Sequence, residues 1–303
     1  MTKIGFVGLG RMGQPMAINC AKNGHEIAAY DIASERMQPF VEFNHCRQAV
    51  SAQDAVKDCE IAITVLPGPA EIDAVVLADD GLLAAMPKGA VLMDLSTILP
   101  ETTDRLAAAA AERGCEFVDA PIGRLASHAD RGESLFMVGA SKAAFAKVKP
   151  VLEAMGTTIH HCGAAGTGTR TKLINNYLAI TSCLMNAEAI ALTQAFNLDL
   201  PTTLNVIHGT SATNGQLKLN YEQKVLKDDT EPGFAINLAH KDLSLIVNSA
   251  AQARVPMPLA AVAREGLNQA IAQGWGTTDF SGLGDYWCEL AKVARARLPG
   301  TGT

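Results

Sequence analysis

Lys172, Asn175 and Asn176 stand at i, i+3 and i+4 in the stretch GTGTRTKLINNYLAI, so a helix brings all three to one face. Their neighbours Leu173, Ile174, Leu178 and Ile180 are apolar, which makes a lysine and two amides out of place on a core-facing stripe. Buried amides need hydrogen-bond partners, and a buried ammonium needs an anion or a lowered pKa. A solvated polar face is the plainer explanation of the same spacing. The preceding GAAGTGT favours chemistry, because small residues let the backbone approach a bound group closely. A lysine so placed can protonate a carbonyl oxygen as hydride arrives, or take the hydroxyl proton in the reverse direction.

A second charged position follows the strand-like CEFVDAP, in APIGRLAS (residues 120–127). Arg124 there is either an ordinary turn arginine or the residue that reads the substrate. A guanidinium brings a fixed positive charge and five N–H donors, and the small Gly123 leaves room for a bound anion. His128, four residues on, belongs at the rim or the surface.

The third constellation is GLGRMG, with Gly8, Gly10 and Gly13 in GxGxxG spacing after a strand and at the start of a helix. Gly8 serves a tight turn, Gly10 admits a pyrophosphate, and Gly13 allows close helix–strand packing. Arg11 and Met12 belong to the same phosphate-binding turn, where a helix N-terminus offers N–H groups to anions. Asp31 ends the second strand, where a carboxylate accepts hydrogen bonds from the adenosine ribose and repels a 2′-phosphate. The following IASER has no arginine before Arg36, so the expected cofactor is NAD, working as NADH. Leu66 and Pro67 in LPGPAE, and Ser96 and Thr97 in DLST, sit at further strand ends, where open α/β sheets bind ligands. The two hydroxyls either reach the nicotinamide side or cap the helix before Pro100.

The elements that must position these residues alternate in the first half. KIGFVGL, EIAAYD, IAITVLP, AVLMDLS and CEFVDAP read as strands; MGQPMAINCAKNG and ETTDRLAAAAAERG read as helices. Such alternation implies a parallel sheet covered on both faces, which SLFMVGA and TIHHCG could extend. From residue 168 roughly 28 residues run without a breaker, far beyond the usual globular helix. PTTLNVIHG, INLAHKDLSLIVNSAAQA and PLAAVAREGLNQAIAQG then continue the helical signal. The expected architecture is a Rossmann-type α/β domain over 1–165, joined by a long helix to an all-helical domain over 166–303. The tail RLPGTGT is expected to fray.

Composition narrows the classes. The 303 residues are 48% hydrophobic with a net charge of −6, which gives no basic field for nucleic acid or anionic membrane. No apolar run reaches a bilayer span. The opening MTKIGFVGLG is interrupted by glycines and Arg11, with no cleavage site after it, so no signal peptide is expected. Seven scattered cysteines without a CxxC pair point to reduced thiols in the cytoplasm, not to disulfides or zinc. His160 and His161 lack a second ligand pair, and no metal is expected. His240 reads as helix packing. Trp275 and Trp287 lie in GWGTTDFSGLGDYW, which either closes over the site or packs a subunit interface.

GFVGLGRMGQPMA, DLST, DAP and GTGTRTKLINN together resemble the four signature regions of the β-hydroxyacid dehydrogenases, and AHKDL (239–243) extends the likeness over nearly the whole chain. The resemblance implies Lys172 as the catalytic acid/base, with Asn175 holding substrate near it. It also implies that Lys241 and Asp242 match a helical-domain pair that reaches the cofactor, and that the protein is a homodimer or homotetramer. The chain departs from the family at one place: DAPIGRL stands where carboxylate-specific members have DAPVSGG. With STILP, TKLINNY and AHKDL, this departure is similar to the sulfolactaldehyde-reducing branch. The implied reaction is NADH-dependent reduction of a short anionic aldehyde to its alcohol, 3-sulfolactaldehyde to 2,3-dihydroxypropane-1-sulfonate. The alternative is a carboxylate substrate: 3-hydroxyisobutyrate, tartronate semialdehyde or 4-hydroxybutyrate. A non-catalytic NAD-binding sensor is disfavoured by the intact Lys172 and Asn175, and an imine reductase by the lysine.

Overall fold

The computed structural model describes residues 1–300, and the chain divides into two compact units, Met1–Leu173 and the residues from Ile174 onward. The first unit opens with β1 (Lys3–Val7), α1 (Gly13–Lys22) and β2 (Glu26–Tyr30); a 3-10 turn at Ser34–Glu42 leads to the short β3 (Cys46–Gln48). Next come α2 (Ala52–Val56), β4 (Ile61–Thr64), the short α3 (Pro69–Ile72) and α4 (Leu82–Ala85), and β5 (Val91–Asp94). The unit continues with α5 (Pro100–Glu112), β6 (Glu116–Asp119), β7 (Ile122–Gly123) and α6 (Ala126–Asp130). It closes with β8 (Ser134–Gly139), α7 (Lys142–Met155) and β9 (Gly156–Gly163).

Among the described residues the sheet has the order β3-β2-β1-β4-β5-β6-β8-β7, with β9 paired to β8. From β3 to β6 every pairing is parallel, and β1, β4 and β5 lie in the middle as apolar runs buried on both faces. One face is covered by α1 and α7 through Met16, Ala17, Cys20, Val148, Val151 and Leu152. The other is covered by α2, α4 and α5 through Ala55, Val56, Leu82, Leu106 and Ala110. SLFMVGA does extend the sheet, but it runs antiparallel: Asp119 pairs with Gly139, and Ile122 and Gly123 with Phe136 and Leu135. Met137 N–H donates to the Pro121 carbonyl between these pairs, so β6 and β7 share one partner strand in a single register. Helix α7 lies outside the expected elements. Pro150 in its interior interrupts the helical signal, and the burial of one apolar face holds the helix regardless.

The second unit is helical. Helix α8 (Thr167–Ala195) begins before the unit boundary and runs for 29 residues. It is followed by α9 (Leu200–His208), capped by the Asp199 carboxylate, then α10 (Ile236–Gln252), α11 (Pro258–Ala272) and α12 (Leu283–Leu290). Within this unit, Cys183, Ala187 and Ile190 of α8 are buried, and the fully buried Tyr221 donates its hydroxyl to the Cys183 carbonyl at 2.7 Å. Trp275, Tyr286 and Trp287 pack ring against ring, and Arg295 lies over Trp275, so this segment folds into its own unit. The tail is tied down where fraying was expected: Arg297 pairs with Asp285 at 2.6 Å, and Leu298 N–H donates to the Leu226 carbonyl. Residues 301–303 of that expectation lie outside the described part. No helix of the described residues is long and apolar enough to cross a membrane.

Candidate active site

The glycine turn after β1 forms because only glycine fits it. Gly8 has φ +96°, and a Cβ there would stand 2.3 Å from the Val65 carbonyl oxygen. A Cβ on Gly13 would meet the Gly8 carbonyl oxygen at 2.0 Å, so α1 rests directly on the turn. Gly10 differs. A Cβ there would meet nothing closer than an Arg36 guanidinium nitrogen at 4.0 Å, so its α-carbon faces open space. No side chain caps the α1 N-terminus, whose N-cap is Met12. An open backbone at Gly10 and an uncapped helix start suit a pyrophosphate. A dinucleotide therefore fits the residues present.

Two expected ligand residues have their side chains engaged elsewhere. The Met12 side chain packs against the apolar core, and the Arg11 guanidinium is paired with Asp130 at 3.3 Å in an exposed ion pair. What these two bring to the turn is their place at the helix start. Asp31, just after β2, is buried, and its oxygens accept the N–H groups of Leu9 (2.6 Å) and Ala33 (2.8 Å). The acid expected to meet a ribose thus also ties the glycine turn to the end of β2.

Ser96 departs from both expectations. It is buried; its hydroxyl donates to Asp94 Oδ1 at 2.7 Å and accepts the Leu66 N–H at 2.9 Å. Helix α5 has Leu99 as its N-cap, with no side-chain cap bond. Ser96 therefore neither offers a free hydroxyl nor caps the helix; it fixes Leu66 to the end of β5. Pro67 is exposed and Thr97 half-buried at the same strand ends.

Two acids missed in the sequence lie side by side under this edge. Asp94 and Asp119 are register partners at the ends of β5 and β6. Burial pushes the Asp94 carboxyl up to about 6 against hydrogen bonds from Ser96 and Thr64, and its Oδ2 has no hydrogen-bond partner. Asp119 is fully buried, which also raises its pKa, and it accepts the N–H groups of Gly166 and Thr169, both at 2.6 Å. A carboxylate at a helix N-terminus satisfies its free donors and its dipole. Asp119 thereby fixes where α8 starts. Gly139 and Gly168 make room: a Cβ on the first would meet Asp119 Oδ1 at 2.4 Å, and on the second the Met137 carbonyl oxygen at 2.2 Å.

One turn into α8, Lys172 Nζ donates to the Ile122 carbonyl at 2.7 Å. Ile122 precedes Gly123 and Arg124, so the lysine is hydrogen-bonded to the turn that the sequence singles out. A Cβ on Gly123 would stand 3.0 Å from the end of the Leu135 side chain on β8, so the glycine also eases packing between the strands. Arg124 sits at φ +70°, a left-handed conformation uncommon outside glycine. Its guanidinium donates to the Glu133 carbonyl (2.6 Å), Thr157 Oγ1 (3.1 Å) and Thr158 Oγ1 (2.9 Å). The side chain thus lies along the start of β9, bonded to neutral oxygens, where the expectation had it facing a substrate anion.

In the second unit, Asn176 and Asn175 part company. Asn176 is buried and donates to Asp242 Oδ2 at 2.7 Å; Asn175 is exposed and donates to Asn176 Oδ1 at 3.1 Å. Lys241 Nζ pairs with Asp242 Oδ1 at 2.9 Å. Asp242 is therefore the hub that orders both Lys241 and the amide pair. His161 stacks on Phe145 and bonds the Ala140 carbonyl, a structural placement. Among the described residues no group of three or more His, Cys, Asp or Glu could hold a metal ion.

Comparison with known proteins gives these sites relatives. Residues 3–163 match the NAD-binding domain of 6-phosphogluconate dehydrogenase, and residues 166–287 the NAD-binding domain of NADP-dependent 3-hydroxyisobutyrate dehydrogenase. A 3-sulfolactaldehyde reductase of Escherichia coli is 38% identical over 93% of this chain and 95% of its own. A 3-hydroxyisobutyrate dehydrogenase of Pseudomonas aeruginosa is 36% identical over 93% and 97%. Among solved structures, 3-hydroxyisobutyrate dehydrogenase of Mycobacterium tuberculosis with L-serine superposes with a TM-score of 0.87 at 29% identity, over 94% of this chain and 99% of that one.

Proposed function

Because the chain belongs to the β-hydroxyacid dehydrogenases related to 3-hydroxyisobutyrate dehydrogenase, NAD-dependent oxidoreductases, we propose that it reduces a short anionic aldehyde with NADH. The proposed substrate, taken from the likeness to 3-sulfolactaldehyde reductase, is 3-sulfolactaldehyde, giving 2,3-dihydroxypropane-1-sulfonate. Bound nicotinamide supplies the hydride to the carbonyl carbon. Lys172 Nζ gives the carbonyl oxygen its proton and recovers it in the reverse direction. The hydrogen bond from Nζ to the Ile122 carbonyl carries this reading, since it holds the ammonium beside the Arg124 turn. Asn175, one helical turn along α8, is proposed to hold the substrate. Lys241, aligned by Asp242, is proposed to touch the cofactor, as are Leu66, Pro67 and Thr97 at the strand ends.

Arg124 is proposed to read the anion after a rotamer change. Its present partners, a carbonyl and two hydroxyls, carry no charge, so a sulfonate that replaces them adds ion pairing to the hydrogen bonds it takes over. Arg124→Ala is expected to lower kcat/KM for the sulfonate aldehyde by about 10- to 150-fold and to spare a matched uncharged aldehyde. Steady-state kinetics on sulfonate, carboxylate and uncharged aldehydes decide the matter. Equal loss on all three would remove Arg124 from anion recognition and the sulfonate assignment with it. A carboxylate substrate is the second reading, favoured by the 36% identity to a 3-hydroxyisobutyrate dehydrogenase, close to the 38% of the sulfolactaldehyde enzyme.

A homo-oligomer and a cytoplasmic location complete the proposal. All seven cysteines are free, as a reducing compartment keeps them. Ile174, Leu178, Met185 and Leu192 of α8, with Phe196 just beyond it, are exposed at spacings that place them on one helical stripe. A second copy of the chain is the proposed cover. Leu192→Glu combined with Met185→Glu is expected to yield monomers by light scattering after size exclusion. An unchanged mass would place any subunit interface elsewhere.

A further inference from the structure

The ends of three neighbouring strands carry a buried polar row. Thr64, Asp94 and Asp119 are register partners on β4, β5 and β6. One oxygen, Asp94 Oδ1, gathers three donors: the Thr64 and Ser96 hydroxyls, both at 2.7 Å, and the Ser96 N–H at 3.3 Å. The Ser96 hydroxyl oxygen accepts the Leu66 N–H at 2.9 Å, so a chain runs from Leu66 N–H through Ser96 Oγ to Asp94. It ties together the segments that leave β4 and β5, which carry Leu66 and Thr97. The other carboxyl oxygen, Oδ2, is buried with no hydrogen-bond partner among the described residues, a costly arrangement for an ionised carboxylate.

Burial, and after it the charge of Asp119, push the Asp94 carboxyl up to about 6 against the bonds from Ser96 and Thr64. Asp119 is held by the Gly166 and Thr169 N–H groups at the start of α8. From α8, Arg170 pairs with Asp104 of α5, and Lys172 is directed to the Ile122 carbonyl. From α5, Thr103 brings a hydroxyl, bonded to Thr169.

We propose that Asp94 is a proton-responsive positioning residue, holding Leu66 through Ser96 with a strength set by the charge on its carboxyl. The inference rests on the reading that Leu66 touches the cofactor. Charge-assisted hydrogen bonds are roughly twice as strong as neutral ones, and a hydroxyl that donates to a carboxylate becomes a better acceptor itself. Ionised Asp94 therefore tightens both bonds of the chain, and a proton on the bare Oδ2 slackens both.

The test is NADH titration by nicotinamide fluorescence from about pH 5 to 8, and Tm by calorimetry from about pH 4 to 8, on wild type, Asp94→Asn and Ser96→Ala. Wild-type NADH affinity is expected to fall about threefold to tenfold from the top of that range to the bottom. Asp94→Asn keeps an acceptor for Thr64 and Ser96 but exchanges no proton, and Ser96→Ala keeps the carboxyl but breaks the chain. Both should bind NADH with little pH dependence. A wild-type profile that is flat, or one that survives in either variant, overturns the proposal. Should Asp94→Asn fail to fold, Ser96→Ala decides.

Tm supplies the independent reading. Asp94 keeps its proton to about pH 6 when folded and to about pH 4 when unfolded, so wild type loses stability as pH rises between them. Asp94→Asn should gain Tm relative to wild type over that window and hold the gain above it. A difference independent of pH would mean a purely structural role and overturns the proposal. A pH step in Tm without one in NADH affinity would show that Asp94 titrates while Leu66 does not touch the cofactor, which sinks that reading and the proposal with it.

Discussion

Lys172→Ala is expected to lower kcat by about 10²–10⁴, the usual contribution of general acid–base catalysis, while NADH affinity stays within a few-fold. The lysine is one turn into a helix whose start is fixed by Asp119, and its Nζ is directed by the Ile122 carbonyl. Removing the side chain deletes the proposed proton donor and leaves the glycine turn at Gly8–Gly13 intact, so the loss should fall on kcat and not on cofactor binding. Lys172→Arg is expected to recover little, because a guanidinium does not give up its proton near neutral pH. Stopped-flow measurement of NADH oxidation at saturating aldehyde, with fluorescence titration of NADH, checks both halves. A Lys172→Ala enzyme that kept a tenth of wild-type kcat would show that the proton comes from another group.

Gly168→Ala is expected to damage stability and turnover together, although the added group is one methyl. Its Cβ would lie 2.2 Å from the Met137 carbonyl oxygen and 2.8 Å from that of Asp119, and both neighbours are backbone. Neither can rotate away, so the start of α8 must shift against β6 and β8. Overpacking of this kind costs about 1–3 kcal/mol, which for a unit of this size lowers Tm by roughly 2–12 °C. The shift also displaces Lys172, and a misplacement of about 1 Å can cost on the order of a hundredfold in rate. Gly215→Ala is the control, since nothing lies within 4 Å of a Cβ there. Differential scanning calorimetry and kcat on both variants make the comparison. Wild-type Tm and kcat for Gly168→Ala would mean that the helix start has slack that the distances do not show.

The sequence by itself determined the features that are written in local patterns. Strand–helix alternation, the 29-residue helix, the GxGxxG spacing and the helical register of Lys172 and Asn175 depend on residues within a turn or a strand of each other. Backbone sterics and side-chain periodicity act over that range, so such features survive without knowledge of the fold. Tertiary structure decided which groups remain available to a ligand. Ser96 looks like a free hydroxyl until the fold places Asp94 Oδ1 and Leu66 N–H against it. Arg124 looks free to meet an anion until the fold gives its donors to Glu133, Thr157 and Thr158, which an anion would have to replace. Asp119 reads as a strand end, yet it anchors a helix that begins nearly fifty residues later. A polar side chain is spent or spared by its long-range partners, and no local periodicity encodes where those partners arrive.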